Sequence, residues 1–229
     1  MRHASCVLSR MHKTDIQLKN EVEQELSWDP KVNAAQIGVS VEQGSVSLRG
    51  AVDTYAAKWA AEDAVKRVNG VCAVAQNLTV KLTGEHRRDD SELAAAVQRT
   101  LEWDVYIPKT VTAEVRDGSV TLNGYVNSNH ERQAAERAVR HLIGVVSVFD
   151  SIRLSPDASV AQVKEKVEAA LRRQAKVDAK SIHVETAGGK VTLTGHASSW
   201  QSIEDAAHAA WAAPGVTEVI DQVKLQMTL

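Results

Sequence analysis

Three stretches of this chain, Val46-Ser47-Leu48-Arg49-Gly50, Val120-Thr121-Leu122-Asn123-Gly124 and Val191-Thr192-Leu193-Thr194-Gly195, share the pattern valine-polar-leucine-polar-glycine. They begin 74 and 71 residues apart. The same offsets bring further positions into line, such as the Gly-Val pairs that begin at Gly70, Gly144 and Gly215. Agreement at so many positions indicates three tandem copies of one unit of roughly 70 residues. They are called here the first, second and third repeats.

Each repeat is predicted to begin with a helix whose apolar residues recur every four positions. In chain order these residues are Leu18, Val22 and Leu26, then Leu93, Val97 and Leu101, then Val163, Val167 and Leu171. Capping-box spacing marks the helix start at Thr14 to Gln17 and at Ser159 to Gln162. Two runs of alternating apolar residues follow, separated by a glycine-containing turn such as Glu42-Gln43-Gly44-Ser45. This arrangement predicts a β-hairpin.

A second helix is predicted to begin at the N-capping pairs Asp53-Thr54, Asn127-Ser128 and Ser198-Ser199. It should end at Gly70, Gly144 and Gly215, because glycine tolerates the left-handed conformation beyond a helix C-terminus. A third strand closes each repeat. If the last two strands are parallel, the connection between them is a right-handed crossover. We therefore predict an α+β protein of three tandem α-β-β-α-β domains, each a three-stranded mixed sheet with two helices on one face.

The repeat boundaries predict a disordered N-terminal tail over residues 1–13 and domains over residues 14–82, 89–154 and 157–229. Hydrophobic residues make up 44% of the chain and charged residues 24%, which is typical of globular proteins. The formal net charge of −2 lacks the basic character of nucleic-acid-binding domains, so no nucleic acid is expected as a partner. The two cysteines, Cys6 and Cys72, form neither a redox motif nor a zinc-ligand set.

No apolar run reaches the length of about 18 residues that crosses a bilayer, so no transmembrane segment is predicted. The first ten residues are basic but lack the apolar core of a secretory signal. By default we expect a cytoplasmic location. The periplasm is the alternative if the true start codon differs. The oligomeric state stays open.

The α-β-β-α-β order, the Val-x-Leu-x-Gly strand and the Gly-Val-x-x-Val segment that follows the second helix resemble the BON domain, named for bacterial osmotically inducible and nodulation proteins. The resemblance extends over all three repeats, from about Asp15 to Leu225. It implies a non-enzymatic role in contacting phospholipid membranes or other envelope components, and in protection under osmotic stress. The resemblance also implies an exported protein, whereas no export signal is predicted from the first residues of this sequence.

No catalytic motif is predicted. The eight histidines form no helical ligand pair, and no phosphate-binding loop, dinucleotide-binding glycine motif or nucleophile elbow occurs. We therefore expect no enzyme, no cofactor and no metal site. The strand glycines Gly50, Gly124 and Gly195 are interpreted as structural, because a glycine within a strand usually marks a bulge or a close backbone approach. The helix-ending glycines of the three repeats are interpreted in the same way.

The second helix of the third repeat differs from its counterparts on the face predicted to point outward. Positions that are charged or polar in the other repeats are here Trp200, Ile203, Ala207 and Trp211. An apolar patch of this kind usually marks a contact surface. Three interpretations stay open: packing against another domain of this chain, a protein partner or self-association site, and a membrane. The nearest charges are Glu204, Asp205 and His208, so the helix lacks the Lys and Arg that favour anionic lipid.

Two weaker features also have competing interpretations. Arg132, Arg137 and Arg140 form a basic stripe on the second helix of the second repeat, which is more typical of a solvated helix face than of a phosphate site. Trp28 and Trp103 lie at the end of the first helix in the first two repeats, and we interpret them as caps on the small cores, since Trp is mostly buried.

These observations predict a non-catalytic, stress-associated binding protein that contacts a phospholipid membrane, another envelope component or a protein partner. The alternative is an intracellular scaffold or a module that senses a small solute or ion and acts through protein–protein contacts. A site built from backbone carbonyls would leave no side-chain signature in the sequence.

Overall fold

The computed structural model of the chain describes residues 13–155, 163–173, 181–213 and 215–225. Over these residues the α-β-β-α-β order occurs three times. The first repeat contains α1 Asp15–Trp28, β1 Ile37–Glu42, β2 Ser45–Val52, α2 Tyr55–Arg67 and β3 Ala73–Val80. The second contains α3 Asp90–Trp103, β4 Thr112–Arg116, β5 Ser119–Val126, α4 Asn129–Arg140 and β6 Ser147–Leu154. The third contains α5 Val163–Arg173, β7 Ile182–Ala187, β8 Lys190–Ala197, α6 Trp200–Trp211 and β9 Glu218–Leu225.

Each repeat forms one three-stranded sheet, with strand orders β1-β2-β3, β4-β5-β6 and β7-β8-β9. The first two strands of every sheet are antiparallel, whereas β3 runs parallel to β2 and β6 parallel to β5. In the first repeat, α1 and α2 contact each other and the same sheet. Buried apolar residues at every fourth helical position and alternate strand positions meet in this layer, among them Leu18, Val22 and Leu48. The predicted α+β fold of three tandem domains is confirmed.

Side-chain caps define several of the helix starts. The capping box between Thr14 and Gln17 is present at α1, as predicted. The predicted N-caps Thr54 and Ser128 also accept hydrogen bonds from the third residue after them. The predicted capping box at Ser159 lies outside the described residues, as do most of the predicted tail over residues 1–13 and the start of the third predicted domain.

The second helices end earlier than the glycine positions predicted. α2 ends at Arg67, three residues before Gly70. The reason lies in two successive turns, in which the Val68 amide donates to Val65 O at 3.1 Å and the Val71 amide donates to Val68 O at 3.4 Å. Gly70, with φ of 108°, belongs to the second of these turns rather than to the helix end.

An aspartate at the start of the first helix fixes the hairpin turn in two repeats. The Asp15 carboxylate accepts the amides of Gln43 and Gly44 at 3.0 and 3.2 Å. In the second repeat the Asp90 carboxylate accepts the two equivalent turn amides at 2.7 and 3.0 Å. Both turn residues have positive φ, as a type I′ hairpin turn requires. The third repeat has Val160 at the corresponding sequence position, which lies outside the described residues.

The strand glycines lie where two backbone segments meet. A Cβ atom on Gly124 would lie 2.2 Å from the carbonyl oxygen of Thr110, and Gly124 has φ of 127°. At Gly50 and Gly195 the corresponding distance is 2.0 Å, to the residue that precedes the first strand. No side chain fits at such a distance, so the backbone geometry requires glycine in each repeat.

Contacts divide the chain into two compact units. One unit holds the described parts of residues 1–81, 198–201 and 225–229, and the other holds those of residues 82–197 and 202–224.

Candidate functional site

Two tryptophans project into solvent from the ends of α1 and α3. Trp28 is 83% exposed and Trp103 is 88% exposed. Each lies two residues after a buried leucine, Leu26 or Leu101, and two residues correspond to about 200° around a helix. Each Trp therefore points away from the core. The prediction that these residues cap the cores was wrong, and the helical phase of the sequence already contained the signal.

The same tight turn follows both tryptophans. Asp29 Oδ1 accepts the amide of Lys31 at 3.0 Å, and Asp104 Oδ1 accepts the amide of Tyr106 at 2.9 Å. The backbone oxygen of each aspartate accepts a second amide, three residues further on. That third residue is buried, as Val32 in the first repeat and Ile107 in the second. In each turn, these two hydrogen bonds to the aspartate stabilise the exposed segment. We call these segments the Trp28 turn and the Trp103 turn.

Arg67 on α2 anchors the Trp28 turn. Its guanidinium donates to Glu25 Oε1 at 3.0 Å, to Asp63 Oδ2 at 2.6 Å and to Asp29 Oδ2 at 3.3 Å. Burial lowers the pKa of Arg67, but the hydrogen bonds to Glu25 and Asp29 and the charge of Asp63 outweigh this effect and raise it above its usual value. The second repeat has His141 at the position of Arg67, so this clamp belongs to the first repeat.

The Trp103 turn exposes more apolar surface than the Trp28 turn. Where the first repeat has Pro30 and Lys31, the second has Val105, which is 88% exposed, and Tyr106, which is 61% exposed. We define Trp103, Val105 and Tyr106 as the Trp103 surface. The Tyr106 ring meets His130 edge-on, with the ring centres 5.3 Å apart. This contact holds one side of the tyrosine while the rest stays open to solvent.

An open groove lies beside the Trp103 surface. Its volume is about 1010 Å³, and it runs between the C-terminal half of α3, the loop that follows and the start of β4. Leu101, Ile107 and Val111 contribute apolar walls, while Glu102, Asp104 and Lys109 contribute polar groups. The groove and the Trp103 surface together form the candidate contact site of the second repeat.

The predicted apolar face of α6 is largely covered. Trp200 is half-buried and packs against the core of the first compact unit, to which residues 198–201 belong. Ile203 is only 6% exposed and Ala207 is half-buried. Trp211 is half-buried against the core of the third repeat, and its ring centre lies 5.2 Å from the guanidinium carbon of Arg132. These contacts favour the first of the three interpretations, in which the face packs against other parts of the same chain.

The basic stripe on α4 is also occupied by contacts. Arg132 pairs with Asp150 at 3.2 Å in addition to its contact with Trp211. Arg140 is 6% exposed and donates to Glu136 at 2.6 Å, whereas Arg137 is exposed. The expectation of a solvated helix face is therefore wrong for Arg140. The contact between Arg132 and Trp211 shows that part of this face lies against the third repeat.

Within the described residues, no group of three or more His, Cys, Asp or Glu side chains is placed to hold a metal ion. No helix in the described part of the chain has both the length and the apolar character of a membrane span.

The geometry defines a tandem array of three small α-β-β-α-β domains, two of which display a tryptophan turn. A model of the BON domain matches residues 14–81, 89–156 and 159–227. The chain belongs to the BON domain family.

Two relatives of this chain have modest sequence identity to it. The chain is 28% identical to osmotically-inducible protein Y of Escherichia coli (strain K12) over 127 residues, which cover 53% of this chain and 63% of that protein. The match thus spans less than two thirds of that relative. A protein of Anaplasma centrale, described as an uncharacterized protein in the gshII 5′ region, is 26% identical over 145 residues, covering 60% of this chain and 95% of that protein.

Among solved structures, the chain aligns with CdsD, a structural protein of the type III secretion system of Chlamydia trachomatis. The identity is 15%, the alignment covers 90% of this chain and 91% of that one, and the TM-score is 0.26. A TM-score of this size supports no conclusion about fold or function.

Proposed function

We propose that this chain is a non-catalytic, stress-associated binding protein that contacts a phospholipid membrane through the Trp103 surface, with the Trp28 turn as a second, weaker contact. The observation that supports this proposal is the exposure of three neighbouring apolar side chains, Trp103, Val105 and Tyr106, on one turn. The stress association rests on membership of the BON domain family and on the Escherichia coli relative, whose name records osmotic induction.

The chemistry of these side chains suits the boundary between lipid and water. Trp and Tyr carry a large apolar ring with a polar group, and both are enriched where one end of a side chain is apolar and the other is wet. The hydrogen bonds that Asp104 accepts from the Tyr106 and Ile107 amides already stabilise the Trp103 turn, so insertion would order few additional groups. Because the turn is already formed, little of the free energy gained by apolar burial is lost to ordering the loop on binding.

The charges around this surface predict which lipids it prefers. Glu102, Asp104 and Lys109 flank the turn, so the site has no excess of positive charge. Electrostatic attraction to anionic lipid depends on clustered Lys and Arg. We therefore expect binding by apolar insertion, with similar affinity for zwitterionic and anionic vesicles and a weak dependence on salt.

The first repeat supplies a natural variant for the test. Changing Val105→Pro and Tyr106→Lys gives the Trp103 turn the residues found at the same positions of the Trp28 turn. Because the first repeat forms the same turn with Pro30 and Lys31, the variant should keep its fold. The matched control is Phe149→Ser, which removes an apolar side chain that is 58% exposed on β6 of the same repeat.

The experiment is co-sedimentation of the full chain with zwitterionic and anionic liposomes. The proposal expects the wild type and Phe149→Ser to sediment with both kinds of vesicle, and the grafted variant to stay mostly in the supernatant. If the wild type binds neither vesicle, the proposed membrane contact is wrong. If the grafted variant binds as well as the wild type, the Trp103 surface is not the contact.

A further inference from the structure

The strand β4 is an open edge of the second repeat. Among the described residues, its only strand partner is β5. Its exposed residues are Thr112, Ala113, Glu114 and Arg116, and Val115 is half-buried. An exposed edge strand presents backbone N–H and C=O groups that can pair with another strand.

The corresponding edges of the other two repeats are more closed. Val39 on β1 and Val184 on β7 are buried, and the residue at the same position of β4 is Ala113, which is exposed. Alanine lacks the two methyl groups with which valine fills the space under the first helix. The groove beside the Trp103 turn opens at this point, with Ala113 in its lining. The edge of β4 is thus accessible from the side of the groove as well as from solvent.

The charges on β4 are complementary to those of a second, antiparallel β4. Glu114 and Arg116 lie two residues apart and so project from the same face of the strand. Their side chains are 68% and 81% exposed. The Arg116 guanidinium lies 3.6 Å from the Glu114 carboxylate, which is too far for a hydrogen bond. A two-fold axis through Val115 places Glu114 of each copy opposite Arg116 of the other. Directly opposite residues have Cβ atoms about 4.5–5.5 Å apart, within reach of an ion pair.

We infer that β4 pairs antiparallel with β4 of a second copy of this chain and joins two sheets into one of six strands. A contact of this kind is isologous, because each surface meets the same surface of its partner. Self-pairing at the corresponding edges of the other two repeats would lack this match. On β1 the same two positions hold Ser40 and Glu42, and on β7 they hold Glu185 and Ala187. Among the three corresponding edges β1, β4 and β7, charge complementarity therefore points to a second copy as the occupant of β4.

The paired segment is short, so the dimer should be weak and sensitive to salt. An axis at Val115 aligns three residues of each strand, Glu114 to Arg116, because the hairpin turn begins at Asp117. Strand pairing over that length buries less area than a stable interface of about 1,200–2,000 Å² requires. The two ion pairs face solvent, so salt should screen them. The inference goes beyond the proposed lipid contact, which does not depend on a dimer.

The test is sedimentation velocity of the full chain from about 10 µM to 1 mM, a range suited to a small interface. The variants are Glu114→Arg, Arg116→Glu and the double exchange of both residues. Each single variant places like charges opposite each other, whereas the double exchange restores opposite charges. Arg153→Glu on β6 is the matched control, since it makes the same change of charge on an exposed position of the other edge. Circular dichroism checks that each variant is folded.

The inference expects a wild-type dimer that forms with rising concentration and weakens with added salt. Both single variants should stay monomeric over the same range, while the double exchange and Arg153→Glu should dimerise like the wild type. A wild type that stays monomeric at every concentration overturns the inference. So does a single variant that dimerises normally, or a double exchange that does not recover.

Discussion

Removing the Trp103 side chain should weaken lipid binding by an amount that its exposure sets. Complete burial of a large apolar side chain contributes about 1.5–3 kcal/mol. Trp103 is 88% exposed, so insertion of all that surface would contribute at most about 1.3–2.6 kcal/mol. Trp103→Ala should therefore lower the vesicle partition coefficient by up to about 10- to 80-fold. The change leaves the core intact, because the side chain points away from it.

Trp28→Ala is the comparison that makes this prediction specific. Trp28 is 83% exposed, nearly as much as Trp103, but its turn presents Pro30 and Lys31 where the other presents Val105 and Tyr106. Without apolar neighbours it should insert less deeply, so we expect a loss of less than about fivefold.

The measurement is an equilibrium titration of protein with vesicles, read by energy transfer to a lipid probe and repeated at low and high salt. A Trp103→Ala variant that binds within a factor of two of the wild type would refute the reasoning. An effect of Trp28→Ala larger than that of Trp103→Ala would also refute it. A steep loss of wild-type binding on adding salt would show that charge, rather than apolar insertion, drives the contact.

Three further predictions concern stability. Asp90→Ala should lower the free energy of unfolding of the second repeat by about 1–3 kcal/mol, because two amides of its hairpin turn lose a charged acceptor. Urea denaturation followed by circular dichroism measures this change. An unchanged denaturation midpoint would contradict the prediction. Gly124→Ala should cost more than about 2 kcal/mol, since its Cβ would meet the Thr110 oxygen at 2.2 Å and its φ is positive; a soluble variant with wild-type thermal stability would disprove it. Arg67→Ala should cost about 1 kcal/mol, because its ion pairs are partly exposed. Since the folded pKa of Arg67 is raised, its contribution is fully present below its unfolded pKa and is lost only as pH rises through the folded pKa, so the difference between wild type and variant should be the same at pH 7 and pH 9.

The sequence predicts the fold because every repeat carries the same local signals. The apolar spacing, the N-caps such as Thr54 and the strand glycines all predict the same order of helices and strands. Because the order occurs three times, each signal is easier to recognise. The glycines that follow the second helices were less informative. Gly70 has a positive φ, but the two tight turns between Val65 and Val71 place the helix end three residues earlier. Glycine marks a backbone conformation and does not specify which kind of turn contains it.

The candidate site was only partly predictable. The phase of a helix shows which residues point away from their own core, and that argument would have placed Trp103 outside. The same argument failed for Ile203 and Arg140, which the comparison of the repeats placed on an outward face and which are buried. The periodicity of one repeat does not show whether another part of the chain packs on the outward face of its helices. Only tertiary packing separates an outward residue from an exposed one.

The three repeats differ most where their scaffold tolerates change. The end of the first helix holds Trp28 in the first repeat, Trp103 in the second and Arg173 in the third. Beside it, the second repeat has Val105 and Tyr106 where the first has Pro30 and Lys31, and both repeats have the aspartate and the buried residue that shape the turn. These substitutions lie outside the core, so they change what the surface contacts at little cost in stability. Of the first two repeats, the second therefore carries an open apolar surface at this turn, and the first repeat shows how the same turn is built without it.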